Sequence, residues 1–164
     1  MKKYEITNES INFRGVKLFR IRALQDFRDV KAGDLGGYIE KEENLSQYDY
    51  CWVYGNARVY GNAMVYDYTR VYGNARVYGN AMVYGNADAY KDTHVLQIGV
   101  IGSRDDTTTF FRTKDKEIYV SCGCFTGDIE KFEKAVEEEH KGTKHEKTYK
   151  LAIELAKLQI ELED

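Results

Sequence analysis

From Val53 onward the chain repeats itself every six residues, as VYGNAR, VYGNAM, VYDYTR, VYGNAR, VYGNAM, VYGNAD, AYKDTH and VLQIGV. A hexapeptide period is the signature of the parallel β-helix, in which three hexads close one triangular coil of 18 residues. Successive coils then stack at the interstrand spacing of ~4.8 Å. Side-chain size assigns the positions. Val53, Val59, Val65, Val71, Val77 and Val83 supply the large inward residue, and Ala89 and Val95 continue the register. The position two before each faces the corner of a narrow prism and has to be small. It holds Cys51, Ala57, Ala63, Thr69, Ala75, Ala81, Ala87 and Thr93. Gly-Asn pairs such as Gly55-Asn56 and Gly73-Asn74 turn the corners, because both residues tolerate left-handed backbone. Each buried valine contributes ~1.5–2 kcal/mol, so the core is thin and its open ends need covering.

Residues 18 apart lie above one another, which sorts the outward side chains into columns. Arg58, Arg76 and His94 form one, beside Tyr60 and Tyr78. Arg70 and Asp88 form a second, beside Tyr54, Tyr72 and Tyr90. The third face pairs Met64 and Met82 with Tyr66 and Tyr84 and carries no charge at its outward positions. Uncharged stripes of this kind tend to be covered. This face is the expected interface of a homotrimer, with the C-terminal helices folding back over it as the rival within one chain.

The flanks read differently. Residues 1–50 are expected to be an N-terminal β cap, with short strands at Lys3–Thr7, Ser10–Phe13 and Val16–Ala23 and a glycine-rich loop in KAGDLGGYI. That loop lacks the Gly-Lys-Ser/Thr ending of a phosphate loop. The β-helix then occupies 51–100. In 101–164, Asp106–Arg112 and Glu117–Ser121 read as a hairpin around Lys114-Asp115-Lys116. A helix capped by Thr126 follows, with Ile129, Phe132 and Val136 on one face. A second, about Lys147–Leu162, carries Tyr149, Ala152, Ile153, Ala156 and Ile160 on one stripe and Leu151, Leu155 and Leu158 on another. The fold class is mainly β, a short β-helix with a β cap and a small C-terminal hairpin plus two helices.

Charge and cysteine content narrow the function classes. With 24 basic and 27 acidic residues well mixed, net charge −3, the chain has no general attraction for a nucleic-acid polymer or an anionic membrane. No apolar run approaches a membrane span, and the basic start MKKYEITNES lacks the apolar stretch of a secretory signal. Three cysteines do not make a disulfide framework, and a reducing bacterial cytoplasm fits. Cys122 and Cys124, with His140 and His145 downstream, have donor types for zinc, but a C-x-C pair is a weaker signal than two knuckles. The reading taken is a core cysteine, with no metal and no cofactor. The stretch Gly102–Thr109 combines a turn glycine, Arg104 and the hydroxyls of Ser103, Thr107, Thr108 and Thr109. Guanidinium and hydroxyls together suit phosphate or ribose oxygens, which makes these five the candidate ligand-binding residues.

The segments LFRIRALQDFRDVKAGDLGGYI, NLSQYDYCWVYGNARVYGNA, IGSRDDTTTFFRTKD and VSCGCFTGDIEKFEKAVEEEH resemble hexapeptide-repeat proteins often encoded by phages and prophages. That resemblance implies a left-handed β-helix, an exception to the usual right-handed crossover. It carries over no catalytic residue. By analogy, a phage setting suggests a small protein that sequesters a nucleotide signal of host defence. The expected function is therefore a non-enzymatic, oligomeric scaffold that binds an anionic small molecule. Two alternatives stand beside it. One is an acyltransferase, since many left-handed β-helix trimers transfer acyl groups from CoA thioesters with a histidine base; here His94 is the solenoid's single histidine, at a surface ladder position. The other is a purely structural phage component.

Overall fold

The computed structural model describes residues 1–164 throughout. A hairpin opens it, β1 (Tyr4–Phe13) antiparallel to β2 (Val16–Ala23), and β2 pairs in turn with β3 (Leu35–Ile39). Seven two-residue strands follow: β4 (Trp52–Val53), β5 (Arg58–Val59), β6 (Met64–Val65), β7 (Arg70–Val71), β8 (Arg76–Val77), β9 (Met82–Val83) and β10 (Asp88–Ala89). They pair in parallel on three faces, β5 with β8, β6 with β9, and β7 between β4 and β10. Trp52 lies over Arg70 and Arg70 over Asp88, so the 18-residue coil is realised. The inward valines and the small corner residues from Cys51 to Ala87 are buried in one continuous core.

The solenoid begins earlier than residue 51. β3 pairs in parallel with β5, Tyr38 opposite Arg58, and Leu45 bridges Val65. These partners are 20 residues apart rather than 18, so two extra residues lie between Leu45 and Trp52. The extra length destroys the hexad phase; of KAGDLGGYI, Lys31–Asp34 is the expected glycine turn, but LGGYI is strand β3 rather than loop. Buried Asn44 takes an inward place there and donates to the carbonyls of Gly61 (3.1 Å) and Ala63 (2.8 Å). Above it the cap closes the prism. The Lys3 ammonium donates to the carbonyl oxygens of Asp49 and Cys51, both at 2.8 Å, and the Tyr4 hydroxyl to that of Leu45 at 2.7 Å. Each bond satisfies a carbonyl to which no preceding coil can donate an amide.

The other end is closed by an antiparallel sheet of β11 (Val95–Ile101), β12 (Asp106–Arg112), β13 (Ile118–Cys122) and β14 (Phe125–Asp128). Val95 thus leaves the coils and joins this sheet. Alternation along β12 sends Phe111 into the solenoid core and Phe110 into a second core. Helices α1 (Ile129–Glu139) and α2 (Lys144–Gln159) build that second core with Phe132, Val136, Tyr149 and Ile153. The cap of α1 is Asp128, not Thr126: β14 runs on through Thr126, and the Asp128 carboxylate accepts from the Lys131 amide at 2.8 Å. α2 starts at Lys144, capped by Thr143, earlier than the apolar stripe alone marks it. Leu151, Leu155 and Leu158 remain exposed. No helix is long and apolar enough to cross a membrane.

Candidate functional site

The five residues singled out by sequence separate on the fold. Ser103 and Arg104 stand exposed on the β11–β12 turn, where Gly102 takes a φ of 80° and the Asp105 amide donates to the Gly102 carbonyl. Thr107, Thr108 and Thr109 follow on β12, where successive side chains point to opposite faces. Thr109 is buried against the solenoid and accepts from the Met82 amide at 3.2 Å. Thr108 is buried on the helix side and donates to the Cys122 sulfur at 3.2 Å. Thr107 is half-buried beside Gly99. Only Ser103 and Arg104 of the five reach a common cavity.

That cavity, of about 340 Å³, lies between the sheet's turns and the helices. Its walls include Ser103, Arg104, Cys122, Phe125, Phe132 and Tyr149, with Glu139 and His140 from the end of α1. The aromatic walls pack tightly, Phe125 on Phe132 at 5.0 Å and Phe132 on Tyr149 at 5.5 Å between ring centroids. Arg104 crosses Gly123, where an added Cβ would sit 3.2 Å from its Cδ, and it makes no ion pair. Burial, and then the neighbouring Cys122, push the Tyr149 phenol up to about 12. It stays protonated at neutral pH and is a standing hydrogen-bond donor. One free guanidinium, a phenol, a serine hydroxyl and apolar walls can seat a small anion with a flat apolar part. Glu139 lines the same cavity, and its carboxylate would repel an anion from that end.

No three His, Cys, Asp or Glu side chains converge as metal ligands, so Cys122, Cys124 and His140 line one cavity without forming a coordination shell. His140 and His145 meet edge-on, 5.8 Å between ring centroids. Tyr149 is legible in the sequence only as an apolar-face residue and Phe125 carries no signal of its own; nothing in their spacing marks them as cavity walls.

His94 does not take the surface ladder position. A 3₁₀ turn at Asp92–His94 breaks the hexad, and Asp92 moves outward to pair with Arg76 at 2.5 Å. His94 turns inward, fully buried against the Tyr90 ring at 4.3 Å, with Nδ1 accepting from the Tyr90 amide. Burial first, and then the charges of Arg112 and Lys91, push its pKa down to about 4. The unfolded chain takes a proton near pH 6.5 that the folded chain refuses until about 4. This stability is therefore fully present above about pH 6.5 and is lost as pH falls through that window, by on the order of 2 kcal/mol after allowance for solvent screening. In urea titrations at pH 7 and pH 4.5, His94→Gln should show a smaller acid loss than wild type. Equal losses in both chains would assign the effect to other groups.

On the methionine face, Tyr66 and Tyr84 stack at 4.9 Å, and Phe111 meets Tyr84 edge-on at 5.6 Å. Met64 and Met82 remain 45% and 39% exposed. The two helices pack on the far side of the C-terminal sheet, so they do not cover this face. Beside it a groove of about 490 Å³ is lined by Leu45, Tyr48, Met64 and Met82, with Glu42, Glu43 and Asp49 at its edge.

Residues 53–67, 57–73 and 75–87 match the family model described as YdcK Beta solenoid repeat. The repeat region is a YdcK-type β-solenoid. The chain is also 39% identical over 62 residues to a protein of Escherichia coli (strain K12) described as "Uncharacterized acetyltransferase YdcK". That match covers 33% of this chain and 19% of the relative, so the chain spans about a fifth of the length of the curated protein it matches.

Proposed function

We propose that the chain is a non-enzymatic binding protein: a left-handed solenoid that assembles as a homotrimer and whose C-terminal unit takes an anionic small molecule beside Arg104. The carrying observation is the unpaired Arg104 guanidinium at an aromatic-walled cavity with a protonated Tyr149 phenol. A nucleotide fits that chemistry, with phosphate on the guanidinium and base against the rings. The resemblance to phage-encoded hexapeptide-repeat proteins supports sequestration of a host nucleotide signal as the role. Thr107, Thr108 and Thr109 then act by fixing β12 beneath the turn, while Ser103 and Arg104 make the contacts. Calorimetry against a panel of nucleoside phosphates, cyclic dinucleotides and acetyl-CoA tests the reading. Arg104→Ala should weaken the bound member by about 1.5–3 kcal/mol, the scale of a hydrogen bond to a charged group. No heat across the panel, or equal binding by Arg104→Ala, overturns it.

A second reading, acyl transfer, is favoured by the name of the curated relative. The solenoid histidine argues against the histidine-base form of that chemistry, because His94 is buried, and its Nε2 meets neither solvent nor a partner. An acetyl-CoA-dependent turnover would decide for this reading. Its loss in Arg104→Ala, with retention in His94→Gln, would place the reaction at the C-terminal cavity.

A further inference from the structure

A second charged cluster lies where the chain returns from α2 to the last coil. Arg112, at the end of β12, is only 2% exposed. Its guanidinium donates through Nε and Nη2 to the Leu162 carbonyl, both at 3.2 Å, and to the Asp164 carboxylate at 2.8 Å. Asp88 on β10 receives its other arm at 3.3 Å and holds it in place. The Tyr90 hydroxyl donates to Asp164 at 2.8 Å, Lys116 pairs with Asp164 at 3.0 Å, and Lys91 pairs with Glu161 at 2.7 Å. Asp88, Tyr90, Arg112, Lys116 and Asp164 of this cluster line a cleft of about 470 Å³ at the junction of solenoid and C-terminal unit.

Three features set the cleft apart from an ordinary surface ion-pair cluster. Lys114 lines it without an ion pair or side-chain hydrogen bond, so its cationic capacity exceeds what residues 161–164 use. Asp88 is the single acid built into its walls apart from Asp164. Asp164 alone of residues 161–164 reaches its wall; these residues hold no regular structure, and the side chains of Glu161, Glu163 and Asp164 are 56%, 92% and 66% exposed. Exposed pairs of that kind contribute little to stability. The buried Arg112 fork, by contrast, is a fixed receptor that reads a main-chain carbonyl and a carboxylate together. That combination belongs to a peptide rather than to a free phosphate.

We propose that this cleft is a recognition site for acidic peptide segments of a partner protein, and that Asp164 holds its Arg112 end in cis as a displaceable competitor, with Glu161 and Glu163 pairing lysines beside it. A Glu/Asp-rich segment gains Lys114 as well as the contacts the chain's own residues make. A rhodamine-labelled hexaglutamate peptide, followed by fluorescence anisotropy with the full chain, tests this. The variant Glu161→Gln/Glu163→Gln/Asp164→Asn should bind the peptide at least tenfold more tightly than wild type. Adding Lys114→Ala and Lys116→Ala should abolish the gain, whereas adding Arg104→Ala should leave it unchanged. Should the triple variant unfold by circular dichroism, Asp164→Asn alone carries the same expectation at about threefold. Equal binding by wild type and the tail variants, or a gain that survives removal of both lysines, overturns the proposal.

Discussion

Replacing Gly37 with alanine should cost about 3 kcal/mol or more of folding stability, read as a lower urea midpoint. A Cβ at this position would lie 2.5 Å from the Ala57 carbonyl oxygen and 2.6 Å from Cγ1 of Val53. Neither obstacle can step aside. The Ala57 carbonyl accepts the Tyr38 amide at 3.0 Å and so joins β3 to the coil below, while Val53 is fully buried in the prism. Relief requires β3 to move away, which exposes Ile39 and Trp52 as well. Gly55→Asn is the informative contrast. Gly55 holds a φ of 55° with no atom within 4 Å of the added Cβ, and asparagine tolerates that conformation. A change within about 0.5 kcal/mol is expected there. Similar losses at both positions would mean that the close approach at Gly37 does not matter.

The double substitution Met64→Glu/Met82→Glu should convert a trimer into monomers without unfolding the chain. The two side chains are stacked one coil apart, and both are partly exposed in the single chain, so glutamates there can be hydrated in a monomer. Within a closed interface they would form six like charges around the three-fold axis, each unpaired. Removing charge from water without a partner costs several kcal/mol per group. The groove's own acids, Glu42, Glu43 and Asp49, would add to the repulsion. Sedimentation velocity reads the outcome directly. A wild type that sediments as one chain, or a double variant that keeps its assembly, eliminates this face as the contact.

The repeat was legible almost residue by residue because each of its positions answers to a local rule: small at the corner, large inward, left-handed at the turn. The first coil was hidden by two additional residues, which shift the phase while the stack itself continues through Tyr38 and Leu45. Lys3, Asn44 and Arg112 were not readable as buried, since each satisfies carbonyls supplied by distant segments. The threonine run shows a different limit. A cluster of hydroxyls close in sequence suggests convergence, but a strand divides it between two faces, and Thr108 and Thr109 end in separate environments. His94 misled for the same reason that the repeat was informative: a periodic column was extended one step beyond the place where a 3₁₀ turn ends it.

The two plugs that close the prism have a consequence for how such a chain can change. Lys3 and Tyr4 seal one end, and Phe111 with its sheet seals the other; between them, the coils stack on copies of their own pattern, with Phe13 and Asp29 reaching along the side to Tyr60 and Arg70. Deleting or duplicating an 18-residue unit between them would leave both seals with the same footing. Each step would alter the separation of the ends by ~4.8 Å. The solenoid is thus a ruler with interchangeable graduations, and selection could set the distance between the N-terminal hairpin and the C-terminal cavities without redesigning either.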